Sequence, residues 1–532
     1  MCLDFSDMNR SLNLIRQKLS VLNVASAAVV AILLGALSGL AMPPFDLWWV
    51  FGFTFPILLL LTENVSLRRA FLSGWFYGFG YFLVVLHWIG FAFLVNAGTD
   101  LWMMPFAVGG LCAYLALFWG SAASLTRLIT SRGYSVYWVA PICFSIMEYL
   151  RGILLTGFPW GAPGLAVDGM GAVSQLAYHV GMTGLTLLIL LWASVPFMLL
   201  KQQTRLAILV LATLPLVWVW GLWRLGENPT QYVENVNLRI VQPNLSEDDQ
   251  WRHDNARQIF KDLLSRSAAA STNGQDITHI IWPESVIPFL LDESPEGLAA
   301  IGNMLGADKI LLTGAVRRAA PSNDADYFTS VLVIDGGAKV LGHYDKSHLV
   351  PGGEFLPWAW LLEPLGFRRL VDFPEGFRAG VGAESLRIPG AGLVGAQICY
   401  EAIFPAEAVA PGHRPDWLVN VTNDGWFGNS TGPYQHLAQF RLRAIEQGLA
   451  AARSANTGIS AVFDPFGRAI IQSEMDIGGA YDSRLPKSVG KGLYATIGDY
   501  ALLAMILALG ILGLYIDKLR VLISSIRLSL QK

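Results

Sequence analysis

The sequence predicts a multi-pass α-helical membrane domain of eight spans, with an α/β domain inserted before the last span. Three observations carry that prediction. Only 14% of the 532 residues are charged, against roughly 25% in soluble domains, and 53% are apolar. The apolar residues are unevenly placed, in long runs over the first 225 positions and again near 495–516. Between about 234 and 490, short β-rich runs alternate with helical ones, the pattern of a sheet covered by helices.

A helix needs about 20 apolar residues to cross the hydrocarbon. Spans are therefore expected near 21–42, 47–63, 71–94, 103–125, 136–156, 172–199 and 206–224, then at the C-terminal run. The first follows Arg10, Arg16 and Lys18 like a signal peptide, but its apolar stretch exceeds the roughly 7–15 residues of a signal core, so it is expected to be retained. Alternate loops carry Arg68 with Arg69, Arg127 with Arg132, and Lys201 with Arg205, and the C-terminal tail carries Lys518, Arg520, Arg527 and Lys532. The loops between, near 43–46, 95–101 and 157–171, carry no Lys or Arg. Both termini are then cytoplasmic and the insert faces outward, which in a bacterium is the periplasmic side of the inner membrane. The expected domains are 1–225 (seven spans), 234–483 (the soluble insert) and 495–532 (last span and tail).

Within the insert, strands are expected at 236–244, 277–285, 309–316, 328–335, 392–401, 416–424 and 459–465, and a helix at 434–453, where Leu437, Phe440, Ile445 and Leu449 recur at near-helical spacing. Chemistry in such sheets gathers where strands end. Three segments stand out: "WPES" with Glu284; "HYDKSHLVPGGEF" with Lys346 and Glu354; and "ICYE" with Cys399, Tyr400 and Glu401. Cys399 can be read as a core filler, half of a disulfide, a metal ligand or a nucleophile. The other cysteines are Cys2 in the tail and Cys112 and Cys143 in expected spans. None can reach Cys399 across the membrane, which leaves an unpaired thiol in an oxidising compartment. His343, His348 and His436 show no H-x-x-x-H or C-x-x-C spacing, so no metal and no cofactor is expected. A carboxylate, an ammonium and a thiol can together perform acyl transfer through a thioester, with the N–H of Tyr400 as a further oxyanion donor. Their spacing alone does not bring them together.

"WPES", "YDKSHLVPGGEF", "ICYE" and "NDGWFG" (423–428) resemble the signature blocks of the nitrilase, or carbon-nitrogen hydrolase, superfamily. With the spans, "LTGFPWG" (155–161) and "GPYQHLAQFRLRAIEQG" (432–448), nearly the whole chain resembles the apolipoprotein N-acyltransferase family of Gram-negative bacteria. The resemblance implies an αββα sandwich and a triad of Glu284 as general base, Lys346 as electrostatic stabiliser and Cys399 as nucleophile, with Glu354 beside them. It also implies an acyl donor that is a phospholipid, notably phosphatidylethanolamine, and a diacylglyceryl apolipoprotein acceptor, handled by a monomer in a ping-pong reaction. Gly352 departs from the bulky aromatic that some members carry in that loop.

Isolated Glu residues commonly cap helices or pair on the surface, and isolated Lys residues are commonly solvated; only their companions lift Glu284 and Lys346 above that. Trp160, Trp358 and Trp426 are candidates for lipid access, although Trp residues of membrane proteins are mostly core or interface aromatics. The apolar, Pro-interrupted segment 355–370 is read either as a mobile arm, with Arg368 and Arg369 at lipid headgroups, or as packing on the helices. Glu148 and Arg151 are spaced to pair on one helix face. Two other functions fit parts of the chain: a membrane-tethered amidase acting on a small amide, which the apolar arm argues against, and a transporter, for which facing charged sites and internal repeats are lacking.

Overall fold

The computed structural model describes residues 22–246, 255–271, 274–319, 327–371, 376–410 and 412–530. Cys2, Arg10, Arg16, Lys18 and Lys532 lie outside the described residues. By internal contacts the chain forms a helical unit (residues up to His87, Pro105–Glu227 and from Leu493) and an α/β unit (Trp88–Met104 and Asn228–Gly492).

The helical unit contains α1 (Val24–Gly39), α2 (Phe51–Thr62), α3 (Leu67–Leu86), α4 (Met104–Thr130), α5 (Val136–Ile153), α6 (Ala177–Ala193), α7 (Thr204–Glu227) and a C-terminal helix (Tyr500–Leu530). Five stretches among the described residues are long and apolar enough to cross a membrane: Leu67–Leu94, Met104–Thr130, Pro163–Leu200, Thr204–Glu227 and Tyr500–Arg520. That is fewer than the eight expected, for physical reasons. The 16-residue α1 reaches only about 24 Å, short of the roughly 30 Å hydrocarbon core; the apolar helix Trp48–Thr62 is shorter still. Helix α5 interrupts its apolar face with Glu148 and Arg151.

Those two residues are the polar centre of the unit. The carboxylate of Glu148 pairs with the Arg151 guanidinium at 2.6 Å and accepts from the Trp119 indole at 2.6 Å. Arg151 also donates to the Phe158 carbonyl and, at 3.0 Å, to that of Trp160, while the Tyr81 hydroxyl holds the Gly161 carbonyl at 2.8 Å. A guanidinium with its donors aimed at a carboxylate and two carbonyls is stable in a low-dielectric bundle because little of its charge is unanswered. The expected salt bridge is present, and it fixes the "GFPWG" turn.

The α/β unit has two six-stranded sheets. In the first, β1 (Tyr232–Gln242), β2 (His279–Trp282), β3 (Ile310–Arg318), β4 (Tyr327–Asp335), β5 (Val340–Asp345) and β12 (Gly479–Pro486) run in the order β12-β1-β2-β3-β4-β5. In the second, β6 (Ser385–Ile388), β7 (Gly392–Ile398), β8 (Trp417–Thr422), β9 (Ala450–Ala455), β10 (Ala461–Phe463) and β11 (Ala469–Gln472) run in the order β11-β10-β9-β8-β7-β6. Strands β1, β2 and β3 are mutually parallel, as are β7, β8 and β9, and the outer strands are antiparallel. Period-two alternation sorts their side chains. Leu238, Ile240, Ile281, Val394, Ile398, Val419 and Val421 fill the core between the sheets. Val241, Ile280 and Leu311 pack with helices α8 (Ala256–Ala268) and α9 (Pro295–Leu305) outside the first. Leu418 and Ala451 pack with α10 (Gly432–Gln447) outside the second. Each such buried aliphatic contributes about 1.5–3 kcal/mol. The layers are helix, sheet, sheet, helix, the αββα arrangement implied by the resemblance.

Strands β5, β6, β11 and β12 are additions to the sequence reading, and one helix and one span end earlier than expected. The helix expected over 434–453 ends at Gln447, where Gly448 takes φ +62°, and 450–455 is the fully buried strand β9. The alanine-rich run favours a helix intrinsically, but small side chains are what the inter-sheet core admits there. The span expected over 71–94 is helical only to Leu86; residues 87–94 form 3₁₀ turns, and from Trp88 onward they belong with the α/β unit. The Trp88 ring lies 4.3 Å from that of Phe427.

Candidate active site

Glu284 follows β2 directly and is buried. Its backbone lies against Gly314 of β3, where a Cβ would come within 2.5 Å of the Glu284 Cα and of the Pro283 carbonyl oxygen, so only glycine lets the loop pass. One carboxylate oxygen accepts from the Asn423 amide at 2.9 Å, which ties "WPES" to "NDGWFG". Lys346 follows β5, and its own amide donates to the Thr329 carbonyl at 2.8 Å. Its ammonium is buried between two carboxylates, 2.8 Å from Glu354 and 3.3 Å from Glu284. The second oxygen of Glu354 accepts from the Val350 amide at 2.7 Å.

Cys399 stands where β7 turns into a short 3₁₀ helix, in the left-handed region at φ +49°. A non-glycine residue held there costs of order 1–3 kcal/mol. Cys399 is buried, and its thiol lies near enough to Glu284 and Lys346 for their charges to act on it. Glu401 joins this turn to the lysine loop: Oε1 accepts from the Tyr344 hydroxyl at 2.8 Å and from the Ser347 and His348 amides at 2.7 and 3.1 Å, and Oε2 from the Ile398 amide at 2.7 Å. Glu401 thereby holds Lys346 and Cys399 in fixed register. The Tyr400 ring packs against Phe404 and His348, 5.1 and 5.7 Å between centroids.

The electrostatics follow from two carboxylates sharing one cation. Burial pushes the Glu284 pKa above the ordinary carboxylate value, with Lys346 working against it. Burial pulls Lys346 down, but Glu354 and Glu284 outweigh it and leave the ammonium charged well beyond neutral pH. Burial and then Glu284 push the Cys399 thiol up, Lys346 opposing them. The arrangement therefore keeps a neutral thiol beside a carboxylate of raised basicity and a fixed positive charge. It can move the proton from sulfur to carboxylate as the sulfur attacks, and it can stabilise an anion forming next to the ammonium.

The structure thus brings Glu284, Lys346, Glu354, Cys399, Tyr400 and Glu401 together. The tryptophans are dispersed. Trp358 is 56% exposed and Trp160 is 0% exposed, inside the helical unit; Trp426 is half-buried. The 355–370 segment is held within its own unit by Arg368, which pairs with Asp100 at 2.8 Å, and by Phe367, 5.2 Å from Trp102. Sequence reasoning missed a second polar group behind Cys399, made of Asn420, Asp424, His436 and Arg453. His436 was weighed there only as a metal ligand, and the useful signal was "NDGWFG", which contains Asp424.

Residues 34–195 match the family described as Apolipoprotein N-acyltransferase N-terminal domain, and residues 238–476 match Carbon-nitrogen hydrolase. The chain is 42% identical over 491 residues to an apolipoprotein N-acyltransferase of Rhodopseudomonas palustris, covering 89% of this chain and 92% of that one. It belongs to the apolipoprotein N-acyltransferase family. Another family member, from Brucella melitensis, is 37% identical over 488 residues, covering 88% of this chain and 91% of its own. Among solved structures, an amidase from Nesterenkonia sp. aligns at 15% identity with a TM-score of 0.35, covering 49% of this chain and 94% of its own. The chain joins helices long and apolar enough to cross a membrane to a carbon-nitrogen hydrolase domain.

Proposed function

We propose that this protein transfers an acyl chain from a phospholipid to the N-terminal amine of an S-diacylglyceryl cysteine through a thioester on Cys399. The observation that carries the reading is the convergence of Glu284, Lys346 and Cys399, three residues distant in sequence, in one buried cluster. In the first half-reaction the Cys399 sulfur attacks the ester carbonyl, its proton passes to Glu284, and the carbonyl electrons collect on an oxyanion facing Lys346 and the Tyr400 N–H. Collapse expels the glycerol oxygen, which takes the proton from Glu284 and leaves as lysophospholipid. In the second, the lipoprotein amine attacks the thioester, Glu284 accepts its proton, and the sulfur departs and is reprotonated. Phosphatidylethanolamine is the proposed donor.

Eight membrane passes, with the shorter helices included, would put both termini on the cytoplasmic side and the α/β domain, about 234–483, on the periplasmic side, as the basic loops suggest. The exposed Trp358, Trp360, Leu361 and Leu365 support a role for the 355–370 segment at the acyl-chain boundary. A polar, water-filled approach suited to a small amide has no comparable support.

The test is to incubate the purified protein with phosphatidylethanolamine and weigh it intact. A hydroxylamine-sensitive acyl adduct is expected, and it should be absent from Cys399→Ala. An adduct that persists in that variant would put the nucleophile elsewhere.

A further inference from the structure

The Cys399 carbonyl is held from behind by a buried polar cluster that the acyl-transfer chemistry above does not use. His436 of α10, fully buried, lies with Nε2 3.0 Å from that oxygen. Asn420 Nδ2 reaches the same oxygen at 3.4 Å. On its other side, His436 Nδ1 is 2.9 Å from Asp424 Oδ1 and 3.1 Å from Arg453 Nη2. Arg453 in turn donates to Asp424 at 2.6 Å and to the Asn420 side-chain oxygen. A carbonyl only accepts, so Nε2 carries a proton. Burial would raise Asp424, but Arg453 and His436 outweigh it and hold the carboxyl ionised far below the usual range.

We infer that His436, braced by Asp424 and Arg453, is a positioning residue that aims and strengthens the Tyr400 N–H as an oxyanion donor, acting through the Cys399–Tyr400 peptide. The inference rests on the acyl-transfer reading. A trans peptide is planar, with its N–H pointing opposite its C=O. The carbonyl is clamped by the α10 layer, outside the second sheet. The N–H is therefore directed away from that layer, to the side of the first sheet, whose strands β2 and β5 deliver Glu284 and Lys346. A donor on an amide oxygen polarises the amide and makes its N–H a better donor, an effect that grows in a low-dielectric interior. The clamp also gives a reason for the backbone of Cys399: its left-handed φ of +49° is maintained by hydrogen bonds on the residue's own carbonyl. His436 touches no reacting atom and acts on the steps in which an oxyanion forms, whereas the Asp424 charge also adds to the upward push on the thiol.

Two substitutions separate this from simple packing. His436→Asn retains a polar group at the Nδ1 position, facing Asp424, but falls short of the Cys399 carbonyl. His436→Gln extends an amide donor to the Nε2 position. Two reactions of Cys399 are timed in the full-length protein: acylation by phosphatidylethanolamine, read by intact mass, and alkylation by iodoacetamide, which passes through no oxyanion. His436→Asn is expected to slow acylation by about 10- to 100-fold, less than the loss of an oxyanion donor outright. Alkylation should stay within about threefold of wild type, and His436→Gln should recover most of the acylation rate. Equal acylation in the two variants, or acylation and alkylation falling together, would overturn the inference. If His436→Gln does not fold, the split between the two reactions in His436→Asn decides; if His436→Asn does not fold, His436→Ala takes its place and the same split is required of it. A wild-type protein that takes no acyl chain while still being alkylated would overturn the acyl-transfer reading, and with it this inference.

Discussion

Two buried ionic groups, one in each unit, each join glutamate to a basic side chain and behave differently. In the helical unit, Glu148 and Arg151 answer one another, and the remaining guanidinium donors meet the Phe158 and Trp160 carbonyls. One negative charge meets one positive, so the pair is a fastener. In the α/β unit, Lys346 stands between two carboxylates, Glu284 and Glu354. Two carboxylates to one cation leave a surplus negative charge, and burial, reinforced by the neighbouring carboxylate and opposed by Lys346, raises the proton affinity of Glu284 and of the thiol. Burial drives the shift in proton affinity, and a cation shared by two carboxylates cancels less of it for each than a cation held by one.

Removing the surplus should have the largest effect. Glu284→Gln keeps the shape but cannot take the thiol proton, and acylation of Cys399 is expected to fall about 10²- to 10⁴-fold in single-turnover mass measurements. The wild-type rate should itself depend on pH with a definite sign. The base works as a carboxylate, and its pKa is raised, so acylation is full above that pKa and declines as pH falls through it, with a midpoint above the ordinary 4.5. A pH profile of the acylation rate with its acid limb at or below 4.5 would remove Glu284 as the base.

The fastener should fail differently. Arg151→Met strands a buried carboxylate and is expected to destabilise the helical unit by about 3–5 kcal/mol, whereas the double variant Arg151→Met, Glu148→Leu should recover much of that. Thermal unfolding in detergent measures both, and a double variant no better than the single one would make Arg151's carbonyl bonds, rather than its charge, the stabilising feature. In the protein that remains folded, the acid limb of acylation should not move.

The smallest effect is expected on the surface. Trp360 is 77% exposed, so Trp360→Ser should leave stability within about 0.5 kcal/mol. If the segment meets acyl chains, this change raises the apparent KM for vesicular phospholipid a fewfold and leaves kcat alone. An unchanged KM would take the segment out of lipid contact.

Much of this was legible in the chain itself. The separation into apolar helices and an α/β insert is written in composition, because hydrocarbon demands long apolar runs and a sheet demands short alternating ones. The candidate residues were legible too, since strand-end motifs such as "WPES" and "ICYE" are local. The helix of 434–453 was misread in its last third because alanine's local preference yields to the core that β9 enters. Five of the eight expected spans are long and apolar enough by themselves to cross a membrane, because a window of apolar residues does not reveal where a helix ends, as Val24–Gly39 and Trp48–Thr62 show.

What the amino-acid order determined was therefore the class of most segments and the identity of the candidate groups, which depend on near neighbours. What tertiary structure alone decided was charge balance. Whether a carboxylate has one cation to itself or shares it, and which carbonyl a buried histidine faces, depends on contacts between strands and helices far apart in the sequence, such as Glu284 with Lys346 and Cys399 with His436. Electrostatic energies in a dry interior turn on distances of a few ångströms, and only the folded chain sets them.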